Sequence, residues 1–515
     1  MHKSIFTLLV FFSFCFSITA QNPFPCGTQP YKSEWLKSFQ SNPEAAKTVL
    51  DSTLYVTMTV HNVGSDDGSG YLSYNTILNA LCILNEDFAP ANIQFFLEED
   101  VRYINNTAFN QHDSVLDGGL FMLQYDIENT INTYFVTDPA GNCGYNLPWA
   151  SIGMNKGCSG AQSHTWAHEV GHNLSLPHPF YGWEGGVSWD NSVPHNFFNP
   201  APRTVLNNYT SFKDSLILDT LIIDTILVEL VERTNCLIAG DGFCDTYPDY
   251  ISSRWNCNTD GESPTLQTDP DGVEFRSDGT LIMSYSDDRC ANRFSEDQMA
   301  AMRASLLMEK PEVLRNEPPD LPVDPAFVFS PVFPQPGEVI IPENNTFQWD
   351  AVDNATHYLI QISRLPSFAV NEFEEIVNTN SAQIENLRSN TKFFWRVRPF
   401  NFTSTCANFS SLQNFETSEP TSIQTPSKIA EDLTVFPSPT PEGQQIFVKW
   451  TGIDLGQSNF EITDLIGRQV LTGNVDLTSN RVIQIKGSEG LHQGVYFLKV
   501  QHKNTWMIKR VMVNN

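Results

Sequence analysis

The chain has 515 residues, more than one hydrophobic core can serve, so roughly three or four domains are expected. A formal net charge of −29 excludes polyanions: neither nucleic acid nor an anionic membrane surface fits as a partner. The same acidity suits a soluble extracellular protein and supplies hard oxygen ligands of the kind calcium takes.

The first twenty residues read as a secretion signal. His2 and Lys3 give a positive start, Ile5 to Phe16 is an apolar run, and Ser17-Ile18-Thr19-Ala20 ends in a small residue suited to cleavage. The run is too short for a membrane anchor, and no later stretch is long and apolar enough to span a bilayer. Cys15 leaves with this segment. Ten cysteines are too few for a disulfide scaffold at this size, but export permits bridges. Local spacing pairs Cys143 with Cys158, Cys236 with Cys244 and Cys257 with Cys290, although spacing alone does not fix connectivity. Cys26, Cys82 and Cys406 are left over.

Residues 21–50 form a short leader with Cys26-Gly27-Thr28 near its start. Leu54 to His61 is strand-like, with β-branched residues in alternation. Asp66 to Gly70 is a turn. Tyr74 to Asp87 has helical spacing through Ile77, Leu81 and Leu84. Ile93–Leu97 and Ile131–Val136 are further strands, and Trp149 to Gly153 reads as an edge strand. His61 and His112 are structural or surface residues, since nothing pairs them with the motif that follows.

Residues 168–178 read His-Glu-Val-Gly-His-Asn-Leu-Ser-Leu-Pro-His. Four residues apart on a helix, His168 and His172 stack on one face, where two neutral imidazoles reach one Zn²⁺. Glu169 then flanks the metal, as a general base must. His178 is too far along for that face, so the helix must stop and the chain turn back; Pro177 fits that stop. Three protein ligands leave a fourth zinc position open, the mark of a catalytic zinc.

The pattern resembles the metzincin metalloproteases, in which H-E-x-x-H-x-x-G-x-x-H is followed by a Met-turn, and within them the pappalysins. One position departs: Ser175 stands where the family has Gly, so a residue with a Cβ must make the turn to His178. The resemblance implies the upper catalytic subdomain seen in the strand–helix–strand order above. Some bacterial relatives carry a Cys-Gly segment in the pro-region, so Cys26 is a candidate cysteine switch, its thiolate on the zinc in place of water. The alternative is a free or bridged thiol, Cys82 being one partner.

After His178 the chain turns irregular. Asp214-Ser-Leu-Ile-Leu, Asp219-Thr-Leu-Ile-Ile and Asp224-Thr-Ile-Leu-Val repeat in tandem, as a strand or an insertion hairpin; the triplets at Ser215, Thr220 and Thr225 also resemble O-glycosylation acceptors of Bacteroidetes. Gly240-Asp241-Gly242-Phe243-Cys244-Asp245-Thr246 looks like the pappalysin segment before the Met-turn. Asp241 and Asp245 are therefore candidate calcium ligands, against an Asp-Gly turn stapled by a bridge. Leu281 to Cys290 matches the Met-turn. By that likeness Met283 is the apolar floor beneath the imidazoles and Tyr285 a catalytic hydroxyl near the metal. Phe294 to Met308 is a closing helix with Met299, Met302, Leu306 and Leu307 on its core face.

A Pro-rich linker, 316–325, leads to strands at short spacing over 326–420, similar to a fibronectin type III sandwich with Trp349, Tyr358 and Trp395 in its core. After a second linker, 421–432, residues 433–515 look like the C-terminal sorting domain of the type IX secretion system, ending in Lys509-Arg510. The expected fold class is multidomain: an α+β metzincin-like catalytic domain over 51–315, then two all-β sandwich domains. The expected function is a secreted or cell-surface zinc endopeptidase, with calcium as a second metal, acting on protein or peptide substrates and exported by the type IX machinery. The alternatives are a catalytically weak adhesin using the type III-like module, which only Ser175 favours, and a zinc amidase acting on cell wall.

Overall fold

The computed structural model describes residues 26–42, 52–148, 151–184, 196–212, 219–419, 433–437, 439–451, 456–465, 467–478, 481–502 and 505–514. The signal segment, Ser215 and the 421–432 linker lie outside the described residues. Contacts divide the chain into two units. The first holds 1–333, 348–382 and 394–413; the second holds 334–347, 383–393 and 414–515. The stretch 326–420 is thus shared between them.

The first unit opens with helix α1 (Glu34–Ser41), whose N-cap Ser33 accepts from the Leu36 amide. Strand β1 (Leu54–Gly64) is the axis of a seven-stranded sheet. It pairs in parallel with β2 (Ile93–Leu97), β3 (Arg102–Asn105) and β4 (Ile131–Val136). Helix α2 (Tyr74–Phe88) packs its Ile77, Leu78, Leu81 and Leu84 face into the core. The edge strand differs from expectation. Ile152–Asn155 lies inside the sheet, parallel to β4, and the edge is β5 (Gly144–Asn146), antiparallel to it. Residues 149–150 lie outside the described set.

The helix that carries His168 and His172, α3 (Thr165–Asn173), lies under this sheet, with Trp166 and Val170 in the same core as Ile282, Met283 and Phe294. The second and third units of the tandem repeat form β7 (Asp219–Leu227), which pairs antiparallel with the preceding β6 (Thr204–Phe212), while the first unit lies outside the described residues. Helix α4 (Glu296–Met308) closes the unit with a Ser295/Gln298 capping box. Met302 and Leu306 are buried, but Leu307 is exposed: one residue past Leu306 is about 100° around the helix.

Residues 357–363 pair antiparallel with 373–377 and with 394–400. Trp349, Tyr358 and Trp395 are buried there together. Leu359 and Phe400 belong to the same core cluster as α2 and α3. A disulfide joins Cys82 on α2 to Cys406, and Arg398 donates to the side-chain oxygens of Asn75 and Asn79 at 2.8 and 2.6 Å. In the second unit, residues 433–514 form a three-stranded and a five-stranded sheet around Trp450, Ile462, Leu498 and Val511. No helix among the described residues is long and apolar enough to cross a membrane.

Candidate active site

Helix α3 ends in a Schellman turn. The Ser175 amide donates to His172 O at 3.0 Å and the Leu176 amide to Gly171 O at 3.0 Å. The turn needs a left-handed residue, and Ser175 takes φ +74°, the conformation a Gly would adopt freely. Its hydroxyl donates to Glu309 at 2.9 Å. Ser175→Gly should relieve about 1 kcal/mol of left-handed cost while giving up an exposed hydrogen bond worth about 0.5 kcal/mol. The expected result is a small net stabilisation. Ser175→Ala loses the bond with no relief, so its urea midpoint should fall below wild type while that of Ser175→Gly rises.

This turn returns the chain so that three imidazoles converge. The Nε2 atoms of His168, His172 and His178 lie 3.1 Å (168–172), 3.3 Å (168–178) and 3.0 Å (172–178) apart. Each ring uses its other nitrogen elsewhere. His168 Nδ1 is 2.8 Å from Ile282 O, His172 Nδ1 is 2.7 Å from Leu176 O, and His178 Nδ1 is 3.2 Å from Glu184 Oε1. Those acceptors place the proton on Nδ1 and leave three bare Nε2 lone pairs aimed at one point. Burial keeps the rings neutral, pushing His168 and His178 down to about 3 and His172 well below its ordinary value. Three unprotonated nitrogens cannot bond one another. Their spacing is near the ~3.3–3.4 Å separating two ligand nitrogens on a tetrahedral Zn²⁺ at about 2.0–2.1 Å. The donor set therefore fits zinc.

Glu184, six residues beyond His178, holds that ring's tautomer and takes the Gly182 amide on its other oxygen at 2.7 Å. Outer partners of this kind typically carry 10–100-fold of metal affinity. Glu184→Ala is expected to weaken zinc binding by about that factor in a chelator competition titration; unchanged affinity would deny Glu184 this role.

Met283 is fully buried beneath α3. A Cβ on Gly171 would fall 2.5 Å from its sulfur, so the close approach of Met-turn and helix requires glycine there. The Tyr285 ring stands edge-on to His178 at 5.0 Å. Its hydroxyl donates to Cys26 O at 3.3 Å.

The leader reaches this point. Cys26 is the only free cysteine among the described residues; Cys82 is bonded to Cys406, which removes the Cys26–Cys82 alternative. Cys26 Sγ and the three imidazole nitrogens all lie within 4.8 Å of one another. Burial, then the neighbouring Glu169, pushes the thiol up. Gly27 donates to Gly144 O at 2.8 Å, and the Thr28 hydroxyl accepts from the Asn146 amide at 2.8 Å. The same hydroxyl donates to Glu169 Oε2 at 2.9 Å. Burial lifts Glu169 to about 8, against the lowering effect of Cys26 and Thr28. A cavity of about 240 Å³ beside His172 and His178 is lined by Thr28, Tyr31, Asn146 and Pro177. An open depression of about 910 Å³ at the start of α3 is lined by Gln162, Thr165, Arg254 and Asp288.

Asp241 and Asp245 use their oxygens on different partners. Both oxygens of Asp245 are engaged at the start of α4, by the Ser295 hydroxyl and the Asp297 amide at 2.8 Å each. The acid beside Asp241 is Glu229, whose Oε2 lies against Gly240. Disulfides 143–158, 236–244 and 257–290 are present. His61 and His112 are buried, against Asn132 and Tyr145 respectively, away from the imidazole triad. Thr28 and Glu184, which touch Glu169 and His178, are residues that the sequence reading missed. Glu184 had a signal: a carboxylate closing the aromatic run Phe180-Tyr181-Gly182-Trp183 must find a partner if that run is buried.

Residues 434–514 match the family described as the secretion system C-terminal sorting domain. The chain is 32% identical over 152 residues to an extracellular metalloprotease of Pyricularia oryzae, covering 25% of this chain and 53% of that protein. It is 30% identical over 153 residues to one of Colletotrichum graminicola, covering 25% and 54%. The chain thus spans about half the length of these relatives. Among solved structures, a human fibronectin type III domain covers 22% of this chain and 96% of its own, at 12% identity and a TM-score of 0.15, too low to bear on the fold.

Proposed function

We propose that the chain is an exported zinc endopeptidase of the pappalysin-like metzincin kind, cleaving extracellular proteins and held latent by its leader. The observation that carries this reading is the convergence of three Nε2 lone pairs beside a buried Glu169. His168, His172 and His178 would hold the zinc, which when bound supplies a Lewis acid and an activated water. Glu169 accepts the proton of the attacking water and delivers it to the leaving amine. The Tyr285 hydroxyl donates to the oxyanion that develops on the substrate carbonyl. In the latent chain both groups are taken: Glu169 by Thr28, Tyr285 by the Cys26 carbonyl. Cys26 would fill the fourth ligand position, as a cysteine switch. Asp241, with Glu229, is a calcium seat in this reading. The relatives named extracellular metalloprotease support the activity, and the sorting-domain match supports type IX export to the cell surface.

The test is metal removal. Purified, leader-free protein is expected to contain stoichiometric zinc and to cleave casein. 1,10-Phenanthroline should abolish cleavage and added Zn²⁺ should restore it. Full cleavage by metal-free protein would end this reading.

A further inference from the structure

Asp249 lies outside the imidazole triad and has no place in the proton transfers at Glu169. It is 3% exposed and accepts three hydrogen bonds, all from neutral donors. Oδ1 takes the Ser277 hydroxyl at 2.6 Å and the Ile251 amide at 2.9 Å, and Oδ2 takes the Ser284 hydroxyl at 3.1 Å. Burial lifts its carboxyl to about 6, against the lowering effect of these donors. An acid kept dry on neutral partners costs stability, so stability does not account for it. Its own position is fixed by a closed ring. Ser277 accepts from Gln267 Nε2 at 2.7 Å, and Gln267 Oε1 accepts from the amide of Tyr250, the residue after Asp249, at 3.0 Å. Gln267 and Ser277 are fully buried.

Oδ2 is the arm that leaves this ring, and it ends on the Met-turn. Ser284 stands between Met283, buried beneath α3, and Tyr285, whose hydroxyl donates to Cys26 O at 3.3 Å. On the other side of Tyr285, the Ser286 hydroxyl donates to Gly279 O at 2.7 Å. The Tyr285 carbonyl accepts from the Trp255 amide at 3.2 Å. Three tethers thus place the backbone of Tyr285. The ring itself meets Phe180 and His178 edge-on at 4.5 and 5.0 Å, contacts that fix its direction only loosely. Of the three tethers, the one from Ser284 ends on a carboxylate, and a hydrogen bond to an ionised group is about twice as strong as a neutral one.

We propose that Asp249 is a positioning residue for Tyr285. Through Ser284 it sets where the Tyr285 hydroxyl stands when the oxyanion develops, so that cutting the tether lowers kcat and leaves KM and zinc content as they are. A donor preorganised for an oxyanion works only where the charge appears, and a misplacement of about 1 Å costs about 10²-fold in rate. The inference rests on the reading of Tyr285 as the oxyanion donor of a zinc endopeptidase.

Two measurements test it. In the full chain labelled with meta-fluorotyrosine, the Tyr285 fluorine resonance is identified by its loss in Tyr285→Phe. Ser284→Ala, which leaves the ring around Asp249 intact, should shift or broaden that resonance and leave the other tyrosines unchanged. The second measurement is kinetic, on chain that has been folded whole, loaded with zinc and then freed of its leader. Ser284→Ala and Asp249→Asn should each lower kcat on a casein peptide roughly 10–100-fold, with KM within about twofold of wild type. In a Tyr285→Phe background neither should lower kcat by more than about a further twofold, whereas a merely structural role would lower it alike in both backgrounds. Equal falls in the two backgrounds, an unmoved resonance in folded Ser284→Ala, or a moved resonance with unchanged kcat overturns the proposal. The spectra need no activity, so the two readings separate. Wild type without zinc or activity sinks the protease, and the resonance alone then decides whether Asp249 places Tyr285; an active, zinc-loaded wild type with an unmoved resonance sinks the positioning role alone.

Discussion

Leader-free Glu169→Gln is expected to retain stoichiometric zinc and to cleave casein at least about 10³-fold more slowly than wild type. Retained metal follows from the geometry. The three ligands are imidazoles whose orientation depends on Ile282 O, Leu176 O and Glu184, none of which touches residue 169. Retained shape follows from the packing. The Glu169 side chain lies against Gly144, where a Cβ would come within 2.7 Å of its Cγ, and Gln has the same volume. What the substitution removes is the capacity to accept a proton. Metal analysis beside initial rates checks both halves. A rate within tenfold of wild type would require a different base, and lost zinc would show that Glu169 helps to build the metal site.

Replacing both Cys82 and Cys406 with Ala is expected to cost about 3–5 kcal/mol of stability. The bridge closes a sequence separation of 324 residues, and a loop that long restricts the unfolded chain strongly. The folded state should survive, because other ties cross the same region. Arg398 reaches Asn75 and Asn79, and the Leu97 amide donates to Phe402 O at 2.9 Å. The double variant should keep its zinc and melt several degrees lower by calorimetry. An unchanged melting temperature would mean those neighbouring contacts hold residues 394–413 without help.

The sequence was most legible where one local period carries the chemistry. Helical spacing alone aims His168 and His172 the same way, and the need for a third ligand points to His178. The strain at Ser175 was also readable, since a Cβ at a turn needing left-handed backbone has nowhere else to go. The edge strand was not readable: Gly144-Tyr145-Asn146 is too short to display alternation, whereas Ile152 and Gly153, read as part of an edge strand, lie inside the sheet. Nor was the Cys82–Cys406 pairing, because residues this far apart in sequence leave no local signal. The surroundings of Asp245 were hidden for a related reason: the helix start at Ser295 and Asp297 that engages its oxygens is distant in sequence.

Gly27 and Thr28 touch the border of the seven-stranded sheet as well as Glu169. A strand with its outer backbone bare invites pairing with any extended chain it meets. On the proposed reading an extended substrate would need that border for itself, which explains why it carries neither charge nor proline. Residues 26–28 cover it, and on that reading their departure would uncover a pairing edge for substrate.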